Sequence, residues 1–366
     1  MKRLLYFASD YKIGISALLT DQLLSIHRSG TYVVAVGSEN EQEPGLISLL
    51  KKNNVRLNTV SRLDDHADFS RLVNSILEIV KKESIDVVHV QNNWQLAIAF
   101  AVKSKLLFRR RLEIVYTLHG FRHNSPIKSR IAQAVIGSAL FMATDHVICM
   151  TEYLRKKFRL LSYKIALIPL GVKDDFFLQE HQPPATGCLN LIFPAQFRHG
   201  KNQDLIITAF SRYIHQSGDR LSTLTLPGNG PLLDEMKSLA KSLGIDKQVK
   251  FPGFMTKDEI KQLYLDCNAA IVASNSETFG QSIVEPFVLG RCVISTPVGI
   301  APEIIKDGEN GFIFNSEQQL VDIISNLKQN PEVLHSIAKR NFDRRDIFSW
   351  DSVTKQYNSS IIRTEP

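Results

Sequence analysis

Two successive series of short apolar runs, separated by polar segments of helical length, constrain the fold of this chain more than any other feature. The first series comprises residues 3–9, 31–37, 86–91, 112–120 and 146–151. The second comprises residues 189–196, 221–228, 248–254, 269–275 and 291–297. Strands that alternate with helices form parallel sheets covered by helices on both faces. The sequence therefore predicts an α/β protein with two doubly wound, Rossmann-like parallel-sheet domains.

A polar segment at 173–187 separates the two series and is the best linker candidate. It contains Pro183–Pro184 and has no regular apolar period. A chain of 366 residues is long enough for two domain cores. We predict a first domain over 1–180 and a second over 188–345. The loops after the strands of two such sheets are expected to face each other across a cleft, because ligands of open α/β sheets bind at those loops.

The composition is that of a soluble globular protein, with 44% hydrophobic and 22% charged residues. Disordered and fibrous classes are excluded. No stretch approaches the roughly 18 apolar residues that a transmembrane helix needs. The four cysteines are widely spaced without a C-x-x-C pair, which suggests neither a zinc ribbon nor a disulfide framework, so we expect them to be reduced, as in a cytosolic protein. The opening MKRLLYFASDYK is interpreted as a buried strand rather than a signal peptide.

Two common nucleotide-binding motifs are missing from the sequence. Neither series has G-x-G-x-x-G after its first strand, which disfavours a dinucleotide-dependent dehydrogenase. There is no G-x-x-x-x-G-K-[ST] loop either, which argues against a P-loop kinase or ATPase.

The net charge of +7 comes from one segment. Residues 103–164 hold 13 basic and 3 acidic side chains, clustered in KSKLLFRRR (103–111) and YLRKKFRLLSYK (153–164). Basic residues mixed with large apolar ones suit an anionic membrane surface, and they equally suit the solvated face of ordinary amphipathic helices. Nucleic acid is not expected as a partner, because no nucleic-acid-binding motif is present.

Residues 274–314 carry the chemistry. Two carboxylates, Glu277 and Glu285, flank a predicted strand-to-helix turn at Gly280. The backbone N–H groups of Gln281 and Ser282, with the one that follows, would begin a helix, and a helix N-terminus binds anions. Carboxylates on either side of a bound phosphate can accept hydrogen bonds from hydroxyls, which describes a nucleotide-sugar site.

A purely structural interpretation of the same stretch is a capping box. In the pattern S-x-x-E, Ser282 would cap the helix and Glu285 would accept from a backbone N–H. Pro286 is compatible with a helix that starts nearby, since proline is tolerated in a first turn.

The longer pattern resembles the retaining nucleotide-sugar glycosyltransferases of family 4, which have the GT-B fold, over nearly the whole chain. The resemblance rests on E-x-F-G and the second Glu, and then on Gly290, Val293, Thr296-Pro297-Val298-Gly299, Glu303-Ile304-Ile305, Asp307-Gly308 and Asn310-Gly311. It implies that Glu277 approaches the donor sugar and that Glu285 holds the ribose. It also implies that backbone amides from Phe279 to Ser282, including those of Gly280 and Gln281, receive the diphosphate.

Other segments match in family order. PAQFRHGKNQDLIITAF (194–210) resembles the segment whose arginine and lysine, here Arg198 and Lys201, neutralise the diphosphate in place of a metal ion. The resemblance thus implies no metal site and no cofactor besides the nucleotide-sugar co-substrate, which agrees with the absence of any D-x-D triplet. PGNGPLLDEM (227–236) and KFPGF (250–254) resemble the loops around the nucleotide base, which assigns Gly228, Asn229, Gly230 and Phe254 to donor binding.

Three further matches lie in the first half of the chain and near its end. His119 ends a strand and resembles the family's histidine beside the donor sugar, although a lone histidine at a strand end is more often structural. Gly14 matches the loop that faces the diphosphate. The segment 346–366 contains FSWDSVTKQY, which resembles a tail helix that returns to the first domain.

The chain also departs from the family pattern. Ile13 reduces the usual glycine pair to Gly14, Leu170 stands where Asn is common, Ile300 replaces a frequent Gly, and Pro286 replaces the usual Ala. These departures bear on loop geometry and sugar preference, and none removes a charged group that the mechanism needs.

The resemblance implies transfer of a sugar from a nucleoside-diphosphate donor to an acceptor hydroxyl with retention, in bacterial surface-polysaccharide biosynthesis such as that of O-antigen or lipopolysaccharide. The expected acceptor is a lipid-linked or other saccharide. We expect a cytoplasmic protein bound peripherally to the anionic inner face of the membrane. Two alternatives stay open: a GT-B nucleotide-sugar 2-epimerase and a non-catalytic nucleotide-sugar-binding protein.

Overall fold

The computed structural model describes residues 2–7, 15–38, 44–60, 68–106, 111–119, 136–180 and 187–362. Its contacts divide the chain into two compact units. Unit 1 comprises Met1–Lys173 and Trp350–Pro366, and unit 2 comprises Asp174–Ser349. Residues 174–180, which the sequence analysis assigned to the first domain, therefore belong to unit 2.

Unit 1 is built on a parallel sheet of seven described strands. They are β1 (Leu4–Phe7), β2 (Val33–Ser38), β3 (Arg56–Val60), β4 (Val87–Val90), β5 (Glu113–Leu118), β6 (His146–Cys149) and β7 (Ile165–Leu167). Their order across the sheet is β3-β2-β1-β4-β5-β6-β7, and every neighbouring pair is parallel. The order reverses beside β1, so β1 and β4 form the topological switch point of this sheet.

Helices cover both faces of this sheet. They are α1 (Ile15–Arg28), α2 (Pro44–Lys52), α3 (Phe69–Lys82), α4 (Asn93–Leu106), α5 (described over 136–143), α6 (Glu152–Lys157) and, from the end of the chain, α14 (Trp350–Tyr357). A 3-10 turn (Arg159–Lys164) follows α6, and a π-helical turn (Asn358–Ile362) follows α14.

Successive residues of β1 contribute in turn to the two cores of unit 1, because successive side chains of a strand point to opposite faces. Leu5 and Phe7 pack with the buried side chains of α3 and α4. Leu4 and Tyr6 pack on the other face with α1 and with Trp350 of α14. The last helix of the chain is therefore part of a core of unit 1.

Unit 2 repeats the architecture with six strands. They are β8 (Asn190–Ile192), β9 (Thr223–Thr225), β10 (Val249–Lys250), β11 (Ala269–Val272), β12 (Cys292–Ser295) and β13 (Phe312–Ile313). Their order is β10-β9-β8-β11-β12-β13, again all parallel. The switch point of this sheet lies between β8 and β11.

The helices of unit 2 follow its strands in turn. They are α7 (Gln203–Ser217), α8 (Leu233–Ser242), α9 (Lys257–Asp266), α10 (Gln281–Val288), α11 (Ala301–Ile304), α12 (Glu317–Gln329) and α13 (Pro331–Asp343). Two 3-10 turns, Asp174–Phe176 and Arg345–Phe348, complete the unit.

The predicted α/β class with two doubly wound parallel sheets is confirmed. Each run predicted as a strand contains one. Three strands were missed, β3, β7 and β13, and each lies at the edge of its sheet. Edge strands bury fewer side chains, and in β3 only Val60 is fully buried, so no apolar run marks it.

Gly171, just before unit 2, packs directly against α14, and this contact leaves no room for a side chain. A Cβ built on Gly171 would lie 2.6 Å from Cε3 of Trp350, whose side chain is buried. The substitution Gly171→Ala should therefore destabilise the protein by about 1–3 kcal/mol, the usual cost of overpacking a core. Thermal unfolding of the full chain measures this.

Gly137→Ala is the matched control, because its Cβ would lie 3.6 Å from Cδ1 of Phe158, an ordinary contact, within a helix that favours alanine. Equal unfolding temperatures for wild type and Gly171→Ala would contradict the described packing of Trp350.

Candidate functional site

Two loops at the switch point of unit 2 are tied together by polar contacts. One loop follows β8 and the other follows β11. The N–H of Asn275 donates to the carbonyl of Gly200 at 2.9 Å. The side-chain amide of Asn202 donates to the carbonyl of Ala273 at 2.8 Å and to Oδ1 of Asn275 at 2.6 Å. The predicted arginine-and-lysine segment and the predicted E-x-F-G segment are thus adjacent.

Lys201 and Glu277 form an ion pair between these two loops. Nζ of Lys201 donates to Oε1 of Glu277, and Oγ of Ser274 donates to the same oxygen at 2.7 Å. Both charged side chains are only 13% exposed. Burial of a charge is costly unless it is paired, so the two residues hold each other in place. The sequence analysis assigned both to the site without predicting that they contact each other.

Arg198 presents a buried donor that lacks an acceptor. Its side chain is half-buried, and within the described part of the chain Nε has no hydrogen-bond partner. More than nine in ten buried polar groups are paired in folded proteins, so an orphaned guanidinium nitrogen fits an anionic ligand.

Helix α10 begins at the turn where the sequence predicted an anion site. Gly280 is its N-cap, with φ of +100°, and a Cβ there would lie 2.7 Å from Cδ1 of Ile283. Both conditions favour glycine. Among the described residues, the N–H groups of Gln281 and Ser282 have no acceptor, whereas the N–H of Ile283 donates back to Gly280.

The capping-box interpretation is wrong. Gly280 is the cap and makes no side-chain capping bond, so Ser282 is already the second residue of α10. Pro286 lies in the second turn of this helix. We had expected it in the first turn. The carboxylate of Glu285 is therefore not used to cap the helix.

The side chain of Gln281 adds a group that sequence reasoning missed. Its Oε1 and Nε2 atoms are both buried, and neither has a partner among the described residues. Only the backbone amide of Gln281 was predicted to contact a ligand. No sequence pattern marks an unpaired side-chain amide, because the lack of a partner follows from the packing around it.

The segment after β12 supports the turn before α10. The N–H of Ile300 donates to the carbonyl of Phe279 at 2.8 Å, and Oγ1 of Thr296 donates to the carbonyl of Ser274 at 2.7 Å. Gly299 has φ of +55°, and a Cβ there would lie 3.0 Å from Cβ of Glu277. The segment that matches the family's T-P-V-G therefore packs against the loop that carries Glu277. The ring of Phe279 is buried edge-on against another aromatic ring, so only its backbone is available to a ligand.

Glu285 lies half-buried in the second turn of α10. Burial raises the pKa of its carboxyl to about 7, the positive charge of Lys257 opposes this rise, and the negative charge of Asp175 adds to it. A carboxylate that is poorly solvated gains from hydroxyl donors, which suits the predicted contact with a ribose.

The predicted base loops also meet. The N–H of Gly228 donates to the carbonyl of Gly253 at 2.7 Å, and the N–H of Phe197 donates to the carbonyl of Asn229 at 3.0 Å. Gly228 and Gly230 have φ of +142° and +155°, and a Cβ on either would overlap a backbone carbonyl of the loop after β8. The ring of Phe254, next to this contact, is 71% exposed.

In unit 1, His119 follows β5 and is half-buried. Its Nε2 lies 2.8 Å from Oε1 of Gln91, the residue that follows β4. Burial lowers the pKa of His119 to about 4. Nε2 of His89, a fully buried residue of β4, lies 3.2 Å from Nε2 of Gln91. Gly14, predicted to face the diphosphate, lies outside the described residues.

Part of the basic segment in unit 1 carries exposed aromatic, apolar and basic side chains. The exposed fractions are 53% for Phe141, 72% for Met142 and 69% for Tyr163. Nζ of Lys164 lies 5.2 Å from the ring centroid of Phe141 and 5.8 Å from that of Tyr163, which joins α5 to the 3-10 turn. Exposed basic side chains follow in α6 and this turn, at Arg155, Lys156 and Arg159. We call these seven residues the α5–α6 face.

Arg109 and Arg110, in the first basic cluster, lie outside the described residues. No helix in the described ranges is long and apolar enough to cross a bilayer.

Comparison with known families identifies the chain. The model of Glycosyltransferase Family 4 matches residues 27–176, and that of Glycosyl transferases group 1 matches residues 178–344. The protein is a glycosyltransferase of family 4 and group 1, as the sequence resemblance predicted.

Two relatives illustrate the similarity. An uncharacterized glycosyltransferase of Methanocaldococcus jannaschii is 25% identical over 306 residues, which cover 81% of this chain and 82% of that protein. The gpi3 subunit of phosphatidylinositol N-acetylglucosaminyltransferase from Schizosaccharomyces pombe is 22% identical over 326 residues, covering 84% and 70% of the two chains.

Solved structures show the same fold. Anabaena HepE in complex with UDP and glucose has a TM-score of 0.76 and 18% identity, with 99% of this chain and 100% of that chain covered. The fold of the chain is therefore GT-B, as predicted.

The ionisation of Glu285 makes the stability of unit 2 depend on pH. Its pKa of about 7 lies above the ordinary value of 4.5, so the folded state binds this proton more tightly than the unfolded state. Stability contributed by the protonated carboxyl is lost as pH rises from about 5 to about 8. Glu285→Gln, which cannot ionise, should therefore gain stability over wild type at about pH 8 and gain less at about pH 5.

Denaturant unfolding at the two pH values measures this difference. Glu309→Gln is the control, since it makes the same chemical change at a side chain that is 63% exposed. A gain for Glu285→Gln that is the same at both pH values would show that Glu285 is not held in its uncharged form.

Proposed function

We propose that this protein transfers a sugar from a nucleoside-diphosphate sugar to a hydroxyl of an acceptor, with retention at the anomeric carbon. The observation that carries the proposal is the group of functional side chains at the switch point of unit 2. There Lys201 and Glu277 are paired, and Arg198 and the start of α10 contribute N–H donors that have no acceptor among the described residues. Such a group is suited to an anionic ligand that bears hydroxyls.

The leaving nucleoside diphosphate develops negative charge as the sugar departs. Arg198, Lys201 and the N–H groups of Gln281 and Ser282 are the donors proposed to stabilise this charge. Donors that are fixed in place before the reaction are effective because they need no reorganisation. The polar contacts between the two loops provide that rigidity.

The two carboxylates are proposed to have different roles. Glu277 is held by Lys201 and Ser274 and approaches the donor sugar. Glu285 accepts hydrogen bonds from the ribose hydroxyls. His119, in unit 1, is proposed to contact the donor sugar, as the family resemblance implies.

Retention is proposed to follow a same-face, oxocarbenium-like route. The bond from the anomeric carbon to the leaving phosphate oxygen breaks, the acceptor oxygen bonds to the same face, and the phosphate oxygen takes the acceptor proton. Oε1 of Glu277 is held by two hydrogen bonds, and the proposed route forms no bond between this carboxylate and the sugar.

Transfer is proposed to need no metal ion or other cofactor. The support is that Arg198 and Lys201 supply fixed positive charge at the proposed diphosphate position, the task that a divalent cation performs in other sugar transferases.

The similar proteins support a nucleotide-sugar donor. Structures of Anabaena HepE were solved with UDP, with UDP-glucose, and with UDP and glucose. The Schizosaccharomyces pombe relative is named as a transferase to phosphatidylinositol, which is a lipid. A lipid-linked acceptor is therefore proposed for this chain, in the biosynthesis of a surface polysaccharide.

The α5–α6 face is proposed to bind an anionic membrane surface, which would place a cytoplasmic enzyme at the inner leaflet. Phe141, Met142 and Tyr163 would enter the headgroup region, and the basic side chains would meet lipid phosphates. Each Lys or Arg close to such a surface contributes about 1 kcal/mol.

Substitutions in unit 2 should separate binding from turnover. Lys201→Ala and Arg198→Ala should each cost at least ~2 kcal/mol of transition-state stabilisation, measured as catalytic efficiency, because each removes a charged partner of the diphosphate. Glu277→Ala should mainly lower turnover, and Glu285→Ala should weaken nucleotide binding in calorimetric titration.

Lys306→Ala, which removes a cation that is 70% exposed, is the control for these variants. The double variant Lys201→Met/Glu277→Gln removes both charges of the pair and should fold normally without regaining activity. Full efficiency in both Lys201→Ala and Arg198→Ala, or normal nucleotide binding by a folded Glu285→Ala, would refute the assigned roles.

The products of a panel of nucleotide sugars and lipid-linked acceptors should identify the reaction. We expect a glycoside with the anomeric configuration of the donor, detected by proton NMR, and activity that persists in EDTA. An epimerised nucleotide sugar without transfer would support the 2-epimerase, and binding without turnover would support a non-catalytic protein. Loss of activity in EDTA with rescue by magnesium would contradict the metal-free proposal.

Binding to liposomes should depend on anionic lipid and weaken in high salt, since the Debye length falls from about 10 Å at 0.1 M to about 3 Å at 1 M.

Binding should also drop when exposed residues of the α5–α6 face are changed. One variant combines Arg155→Ser, Lys156→Ser and Arg159→Ser. Another combines Met142→Ser and Tyr163→Ser. The control removes equal charge from α8 and the turn after it, in Lys237→Ser, Lys241→Ser and Lys247→Ser. Replacing Arg109, Arg110 and Arg111 by Ser tests the first basic cluster. Equal binding to neutral and anionic vesicles, or none to either, would favour a soluble acceptor.

A further inference from the structure

Helix α10 has a single face that is not buried. Of its eight residues, only Gln281, Ser282 and Glu285 are not fully buried. The first two supply the backbone N–H groups proposed for the diphosphate, and Glu285 supplies the carboxyl proposed for the ribose. Residues four positions apart in a helix have Cβ atoms about 5–6 Å apart, so the side chains of Gln281 and Glu285 are neighbours on this face.

The side-chain amide of Gln281 makes no hydrogen bond in the ligand-free chain. Its Oε1 and Nε2 are both buried, and neither has a partner among the described residues. Gln203 shows the usual arrangement, because it is also buried and its Nε2 donates to the carbonyl of Gln196 at 3.0 Å. A buried polar group without a partner destabilises the folded chain. Such a group indicates a place where a ligand supplies the missing partners.

The side chain of Gln281 must turn to meet a ligand, because both of its polar atoms are buried before a ligand is present. The residue as a whole is half-buried, so part of it already lies at the surface of the site. The turn breaks no hydrogen bond of the amide within the described part of the chain, since none is made there. Contact with a ligand would therefore add hydrogen bonds without the loss of existing ones.

The chemistry of the amide favours a hydroxyl as its partner. An amide offers an acceptor as well as donors. A phosphate oxygen would pair only with the donors and would leave Oε1 of Gln281 without a partner. A hydroxyl both donates and accepts, so the hydroxyls of a ribose can satisfy both atoms of the amide. The ribose is also the part of the donor that the neighbouring Glu285 is proposed to hold.

We propose that the side-chain amide of Gln281 hydrogen-bonds the ribose of the donor nucleotide and makes the site selective for ribonucleotides over deoxyribonucleotides. The inference rests on the proposed function and extends it. The family resemblance assigned only the backbone N–H of Gln281 to the donor, at the diphosphate.

Thermal unfolding of the full chain without nucleotide tests whether the amide is unpaired. Gln281→Met keeps the length of the side chain and removes the amide. It should raise the unfolding temperature by about 2–4 °C, because a buried group without a partner is replaced by an apolar one. Gln203→Met removes a buried amide that is paired, so it should lower the unfolding temperature. A lower unfolding temperature for Gln281→Met would overturn the unpaired state of its amide.

Calorimetric titration with UDP and with 2′,3′-dideoxy-UDP tests the contact with the ribose, because the two nucleotides differ only in the ribose hydroxyls. The wild type should bind UDP at least about tenfold more tightly than the dideoxy form. Gln281→Met should bind UDP about tenfold more weakly than the wild type does, and dideoxy-UDP as tightly. Gln281→Asn, whose amide is one methylene shorter, is a second variant with the same expected loss.

Gln248→Met is the matched control. Gln248 is a half-buried glutamine of unit 2 that precedes β10, at the amino end of the strand and thus at the sheet edge opposite the site. This variant should bind both nucleotides as the wild type does.

Unchanged affinity for UDP in Gln281→Met and Gln281→Asn would overturn the proposal. An equal loss for UDP and dideoxy-UDP would also overturn it, because the amide would then act on the phosphates. If the wild type binds UDP and transfers no sugar, the proposed function fails, and the comparison of the two nucleotides still decides the role of Gln281. GDP and its dideoxy form replace the uridine pair if the wild type does not bind UDP. Failure to bind either ribonucleotide would overturn both proposals.

Discussion

Strands β8 and β11 are neighbours in the sheet and run parallel to each other, and the arrangement of the site in unit 2 depends on this pairing. Parallel strands end at one edge of a sheet, and the reversal of strand order at β8 leaves a gap there that a ligand can enter. Residues 76 positions apart, Lys201 and Glu277, become neighbours at that edge. Their opposite charges offset the cost of burying each other, so the loops that carry them are joined by an ion pair as well as by the amide contacts of Asn202.

These loops lie close together because they contain glycines at positions where a side chain would not fit. Gly280 caps α10 in a left-handed conformation, and Gly228 and Gly230 approach the loop after β8 so closely that a side chain would overlap its carbonyls. Several polar groups at the site have no partner in the described part of the chain, among them Nε of Arg198 and the side-chain amide of Gln281. Unpaired groups destabilise a folded protein unless a ligand or water satisfies them, which is why they are informative about binding.

One group of buried polar side chains in unit 1 is paired within the protein. There Tyr6, Gln22, His89 and Gln91 satisfy one another, and α14 closes the set with Tyr357. Gln91 in turn contacts Nε2 of His119, the candidate functional residue that follows β5, at 2.8 Å. The helix at the end of the chain thus contributes to the surroundings of a candidate functional residue as well as to the core of unit 1.

The sequence by itself determined the fold class and the positions of the central strands, because strands buried on both faces consist of nearly continuous runs of apolar residues. It also proposed Glu277, Glu285, Arg198 and Lys201 as candidate site residues, since their spacing around Gly280 and Gly200 resembles that of a family. Only the tertiary structure decided which of these residues touch. It added the edge strands β3, β7 and β13, which are only five, three and two residues long, and it showed that Gly280, not Ser282, caps α10. The contact between Gln91 and His119 was likewise not predictable, because folding brings together residues that follow two different strands.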